Sequence, residues 1–172
     1  MSCEIIAGYT KAPCKGPSGI TGAIPLPMSN INAYTVVDGI VTALTTTDTA
    51  YRISLDINSG FFNETPTTDR ATGALHYPQT AQMMLKDNRV GTLQLVEALH
   101  KGCHAFVVEY RDGTRRLFGA ENGMTPPTTE GTSGTQGAEM KGNTVNLAGD
   151  ENTFAPLIED DAIITALLTP HS

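Results

Sequence analysis

The stretch His104-Ala105-Phe106-Val107-Val108-Glu109-Tyr110, followed by Arg111-Asp112-Gly113 and then Thr114-Arg115-Arg116-Leu117-Phe118-Gly119, reads as two strands around an Asp-Gly turn. Both flanking runs are rich in β-branched and aromatic residues. Asp-Gly between them predicts a type I′ hairpin, because that turn needs positive φ at both central positions.

Outward from this hairpin, the neighbouring segments repeat the β signal. Thr144-Val145-Asn146-Leu147-Ala148 alternates as a short strand. Upstream, Ala81, Met83 and Leu85 share one face of the stretch 79–86. Tyr51, Ile53, Leu55 and Ile57 alternate with Arg52, Ser54, Asp56 and Asn58, the period of a strand with one buried and one wet face. Residues 34–44 are again β-branched, with Asp38-Gly39 as a tight turn or a bulge. One amphipathic helix is expected from about Val90 to Lys101: Thr92, Leu95, Val96 and Leu99 follow the i, i+3, i+4, i+7 spacing. Asp87 or Asn88 would cap its start, and Gly102 stands where a C′ glycine belongs.

Other segments read as irregular. Residues 1–32 form an expected extended N-terminal arm: Pro13, Pro17, Pro25 and Pro27, with Gly16, Gly19 and Gly22, interrupt a helix or a central strand. The arm still carries Ile5, Ile6, Ile20, Ile24 and Leu26, so it is expected to pack on its own domain or on a neighbour. Residues 59–74 read as a long connection or an extended hairpin with a polar tip. Residues 121–143, with Pro126, Pro127 and several glycines, read as a long loop. The division expected is an arm over 1–32, a β-rich domain over 33–158 and a C-terminal tail over 159–172. In that tail, apolar residues broken by Glu159-Asp160-Asp161 would return as a last strand or lie on a partner.

The chain has 172 residues, enough for one domain with a sizeable core. Its net charge of −7 and the lack of a basic patch argue against a sequence-reading nucleic-acid binder. An acidic balance is common among cytosolic proteins; it also suits a wall along which DNA slides without sticking. Glu4 sits where a secretory leader carries positive charge, so no leader is expected. Ala162–Leu168 is too short to span a bilayer. Three cysteines, Cys3, Cys14 and Cys103, form no CxxC, and reduced thiols are expected.

Chemistry finds little support. His100, Cys103 and His104 cluster after the helix, with Cys3, Cys14 or Glu97 as conceivable further ligands, but the spacing matches no zinc module. Adjacent Cys103 and His104 in a strand point to opposite faces, unlike a catalytic pair. Asp160, Asp161 and Glu109 read as solvated charges. The glycines from Gly131 to Gly142 lack the lysine of a phosphate loop. No catalytic, cofactor-binding or metal residue is assigned, no cofactor is expected, and the chain reads as non-enzymatic.

Several short signatures, in order, resemble a family of small virion proteins of tailed phages, especially those infecting Bacteroidetes. They are Met1–Gly8, Cys14–Ile20, Tyr34–Leu44, Tyr51, Tyr77-Pro78-Gln79, the single helix, Leu117-Phe118-Gly119-Ala120-Glu121-Asn122-Gly123, the glycine-rich stretch before the last strand, and Asn152–Pro156. The chain departs from the family at Asn146-Leu147-Ala148-Gly149, where an aromatic-Thr-Gly pattern is usual, and in a longer segment after Pro156. The resemblance implies a mainly β fold with one helix (α+β), a tail-tube-like twisted β-sandwich or half-barrel with an N-terminal arm and long loops. It implies a tail-tube or neck-ring subunit that assembles into a homo-oligomeric ring, sixfold or twelvefold, lining a DNA channel. Partners would be other tail or head–neck proteins and transiently passing DNA, with no membrane, in a virion assembled in the host cytoplasm. The rival readings are a capsid decoration or head–tail joining protein and, in another class, a small β-barrel ligand-binding module.

Overall fold

The computed structural model describes residues 8–9 and 18–170. In chain order the strands are β1 (Ile20–Pro27), β2 (Ile31–Val37), β3 (Ile40–Thr46), β4 (Ile53–Ser54), β5 (Gly60–Glu64), β6 (Thr67–Thr68) and β7 (Leu75–Leu85). After helix α1 (Val90–His100) come β8 (His104–Tyr110), β9 (Arg115–Phe118), β10 (Thr125–Thr132), β11 (Gly142–Glu151) and helix α2 (Asp161–Leu168). The chain is mainly β, and all strand pairs between these elements are antiparallel.

Two sheets share one core. The first runs β4-β1-β8-β9 and the second β10-β11-β7-β5, with β6 beside β7. Ala23, Phe106, Val108 and Phe118 from the first sheet meet Phe62, Ala81, Met83, Val145 and Leu147 from the second. Phe62 sits at the centre, its ring 5.7 Å from that of Phe106 and 5.4 Å from that of Phe118. Each ring pair adds about 0.5–1.5 kcal/mol beyond simple burial. Helix α1 closes one end through Leu95, Val96 and Leu99.

A second core lies on the opposite face of the first sheet. It joins Ile24, Leu26, Ala105, Val107 and Leu117 to Val41 and Leu44 of β3 and to Ile163, Ile164 and Leu167 of α2. Strand β8 is therefore covered on both faces. This explains why His104–Val108 is buried without a break, where a half-exposed strand would alternate. The segment after β11 stitches this layer together: Leu117 N donates to Pro156 O (2.9 Å), Ile158 N to Arg115 O (3.0 Å) and Val41 N to Leu157 O (2.8 Å). The outer margin of β9 is thereby occupied.

Several expectations change. Among the described residues there are two α-helices where one was expected. The apolar run after Glu159 is α2, and the acidic residues that looked like an interruption start it: Asp160 Oδ1 accepts from Ala162 N at 2.8 Å. That segment packs on the chain's own second core. Residues 20–27, assigned to the irregular arm, form β1 in the middle of the first sheet. Pro25 and Pro27 are tolerated because β4 pairs only with Gly22 and Ala23, leaving the proline end of β1 with β8 on one side alone. Of the rest of the arm, all but Gly8, Tyr9, Ser18, Gly19 and the stretch 28–32 lies outside the described residues.

Of the loop expected over 121–143, residues 125–132 form β10 and 142–143 open β11. Pro126 and Pro127 sit on the outermost strand, where a register shift between Thr125 and Thr128 accommodates them. Residues 59–74 adopt the hairpin alternative, β5 and β6 folding back on β7. The alternation at 51–57 holds only in part: Ile53 is buried and Leu55 packs on the core, while Tyr51 and Ile57 are exposed.

Asp38-Gly39 is a two-residue turn with φ of 51° and 78°, as a type I′ hairpin demands. At Asp112-Gly113 only Gly113 has positive φ (89°). Gly113 N donates to Tyr110 O and Tyr110 N to Thr114 O, so the loop is a type I turn closed by a glycine bulge. Asp112 stabilises it by accepting from Thr114 N at 2.9 Å. Helix α1 spans nearly the expected residues, but neither Asp87 nor Asn88 caps it: the N-cap position is Arg89, without a side-chain cap, and Asp87, two residues earlier, accepts from Arg89 N and from Thr92 Oγ1.

Candidate functional site

Three surfaces stand out once the cores are filled. The first is the pair of margins of the second sheet. Strand β10 has β11 on one side and β5 has β7 on the other, and neither has a strand partner beyond among the described residues. Such margins present backbone N–H and C=O groups ready to pair.

The second is the outer face of that sheet. Because Ala81, Met83, Leu85, Val145 and Leu147 point inward, Thr80, Gln82, Met84, Thr144 and Asn146 point out. Gln82 Nε2 donates to Asn146 Oδ1 (3.0 Å), and Asn146 Nδ2 donates to Thr128 Oγ1 (3.1 Å). The middle of the face is thus an uncharged ladder of amides and hydroxyls across three strands. Glu130, paired with Thr144, brings a carboxylate near the β10 margin.

The third is a cleft of about 330 Å³ beside the open end of β1. Leu26, Ile53, Leu95 and Leu99 supply apolar walls, and Ala98 of α1 borders it. Its rim holds Asn30 and Asp48, joined by Asn30 Nδ2 donating to Asp48 Oδ2 at 2.9 Å. The cleft exists because β4 is short: after Ala23, nothing pairs with that side of β1.

Two buried polar groups hold these surfaces in place. Glu64, on β5, accepts from Arg116 Nη2 (2.7 Å), Ala155 N (2.7 Å) and Gln79 Nε2 (3.2 Å). Glu151, at the end of β11, accepts from Glu121 N (3.0 Å) and Asn122 N (2.9 Å) and so fixes the turn after β9. Burial pushes the Glu151 carboxyl above the usual range, the two N–H groups opposing it. Tyr34 nearby is pushed up to about 12, by burial first and then by the charges of Glu121 and Glu151.

The residues weighed as chemical candidates are scattered. His100 Nε2 shares a 2.7 Å hydrogen bond with Thr129 Oγ1, tying α1 to β10. His104 is buried, with Nδ1 3.2 Å from Gly102 O, and burial lowers its pKa. Cys103 is an exposed free thiol; Cys3 and Cys14 lie outside the described residues. Glu109 pairs with Arg52 at 2.8 Å, and Asp161 with Arg115. Glu97 pairs with Lys101 one turn on. Among the described residues, no three His, Cys, Asp or Glu side chains gather as a metal site requires. The residues 131–142 split between β10, a loop and the start of β11. No helix among the described residues is long and apolar enough to cross a membrane.

Which strands form the open margins, and the cleft itself, were not read from the sequence. Both are created by residues far apart in the chain, and the only local signals were the prolines that mark strands lacking a partner on one side. Compared with protein-family models, curated proteins and solved structures, the chain matches none.

Proposed function

We propose that this chain is a phage virion structural protein, a tail-tube or neck-ring subunit that closes head-to-tail with copies of itself around a DNA passage. The observation that carries the reading is the second sheet. It has four main strands in strict antiparallel order, β10-β11-β7-β5, so its two outer strands run in opposite directions. Rotation about an axis along the strands preserves their direction. The β5 margin of one copy then meets the β10 margin of the next as one more antiparallel pair, and the alternation continues around a ring. Repeating such a head-to-tail contact closes a ring when the rotation divides a full turn.

The outer face of the same sheet suits a passage for DNA. Its amides and hydroxyls form no ion pairs with phosphates, and the net charge of −7 opposes counterion-releasing attachment. The resemblance of the short sequence signatures to small virion proteins supports the same reading. Sixfold or twelvefold closure, and the neighbouring tail or head–neck proteins, belong to this reading.

The test is imaging of the purified protein by negative-stain microscopy over a range of concentrations. Rings or tubes with a central opening are expected. Uniform monomer-sized particles at high concentration contradict the proposal. A second reading, a small ligand-binding module, draws on the apolar cleft, whose volume falls in the range of small-molecule sites. A ligand that raises the melting temperature of a monomeric protein would favour it.

A further inference from the structure

The hydrogen bonds inside the second sheet fix which backbone groups its margins present. Met84 N donates to Ser59 O (2.7 Å) and Thr65 N to Pro78 O (3.0 Å), at the two ends of the β5–β7 pair. Ser59, Phe61, Asn63 and Thr65 therefore bond toward β7. Bonding direction alternates along a strand, so Gly60, Phe62 and Glu64 present their N–H and C=O groups to the free side. The same alternation carries through the unbroken β7–β11 register and on to β10. Thr128 and Glu130, opposite Asn146 and Thr144, bond toward β11. Thr129 and Gly131 then present both groups outward, and Pro127 only its C=O. On both margins the presenting residues point their side chains to the covered face: Phe62 lies in the core, and Thr129 meets His100 of α1.

We infer that in the assembled protein Phe62 of one copy stands opposite Thr129 of the next, and Gly60 opposite Gly131, each pair exchanging both backbone hydrogen bonds. This inference rests on the self-assembly reading and sets the register of its contact. An even number of main strands makes the match: the residues presented at the two margins belong to one face, so the sheet continues without turning over. A one-residue slip would oppose core-facing to outward-facing residues. Two-residue shifts are decided by the strand ends. One sets Pro127, which has no N–H, opposite Phe62 at the middle of β5. The other sets Gly60 opposite Ser133, past the end of β10. In the inferred register Pro127 falls opposite Glu64, at the last residue of β5. The outward side chains agree, because Asn63 falls opposite Thr128. Thr128 Oγ1 accepts from Asn146, and its own O–H is left to donate to the Asn63 amide oxygen. The Gln82–Asn146–Thr128 ladder thereby runs on into the next copy.

Disulfide trapping reads the register. Phe61 and Glu130, both exposed, face each other in it as a pair without mutual backbone bonds, their Cα atoms about 4.5 Å apart and within disulfide reach. Within one chain β7 and β11 lie between them, a separation of about 14 Å that no disulfide spans. The background carries Cys3→Ser, Cys14→Ser and Cys103→Ser. In it, Phe61→Cys with Glu130→Cys should form covalent multimers under oxidised glutathione, as should Asn63→Cys with Thr128→Cys. Phe61→Cys with Thr128→Cys, or with Thr132→Cys, reports the shifted registers. These diagonal positions lie about 7–8 Å apart, and several-fold less product is expected from them. Stronger linking by a shifted pair overturns the inference, as does equal linking, or none, by all four variants. Sedimentation of the serine background separates the two failures. An assembled protein without the expected preference rejects this register alone, whereas a monomer at every concentration rejects self-assembly with it.

Discussion

Arg116 Nη2 donates to Glu64 Oε1 at 2.7 Å, joining the outer strand of one sheet, β9, to the outer strand of the other, β5. The Glu64 side chain is only 5% exposed, and the guanidinium also reaches Ala155 O. The pair thus ties both sheets and the segment after β11 together at one point, beside the margin that the proposed ring would use.

Removing the cation leaves the carboxylate buried with only the neutral donors from Gln79 and Ala155. Arg116→Met should destabilise the fold by about 3–5 kcal/mol, the cost of stranding a buried charge. Arg116→Met combined with Glu64→Gln should recover part of that loss. Urea unfolding of the two variants checks it, and equal losses would show that the pair is not coupled.

Asp87 is held near pKa 2, first by the Thr92 hydroxyl and then by the Arg89 side chain and backbone N–H. Its folded-state pKa lies below the ordinary value of 3.8, so the carboxylate stabilises the start of α1 above that value. That stabilisation is lost as pH falls from about 4 to about 2. Thr92→Val should move the Asp87 titration upward toward the ordinary range. Carboxyl carbon shifts followed by NMR from pH 6 downward give the readout, and an unmoved titration would exclude the hydroxyl as the leading cause.

Asp160 starts α2, whose Ile163, Ile164 and Leu167 fill the second core. Asp160→Ala should cost about 1 kcal/mol, and Asp160→Asn much less, since the amide oxygen still accepts from Ala162 N. Thermal unfolding of both variants distinguishes capping from a general loss of charge, which would affect the two alike.

Along β10, neighbouring residues point their N–H groups alternately toward β11 and outward. Of Thr129→Pro and Glu130→Pro, one should disturb the fold and the other should leave it intact while abolishing self-association. Circular dichroism paired with sedimentation velocity reads both properties. Association that survives in the well-folded variant would remove β10 from the interface.

What the sequence revealed depended on how local each signal was. The runs 104–110 and 79–86 and the helix at 90–101 carry their own periodicity or turn chemistry, and each appears close to where it was expected. Strands β1 and β10 were hidden by their prolines. The rule that proline leaves a strand applies to strands paired on both sides, and Pro25, Pro27, Pro126 and Pro127 all lie where one side is unpaired. Helix α2 was hidden because eight residues hold barely two turns of periodicity, and its acidic start was read as a break. The exposure of Tyr51 and Ile57 shows the opposite error, an alternation that outruns the two residues of β4. The cleft and the sheet margins depend on which strands end up neighbours, and that information is distributed over the whole chain.

Native mass spectrometry of the full-length protein bears most directly on self-assembly. The account predicts one dominant closed species at a fixed multiple of the 18.2 kDa chain, with six or twelve copies expected. A spectrum holding only the single chain, at concentrations where the sheet margins of neighbouring molecules meet freely, would contradict it.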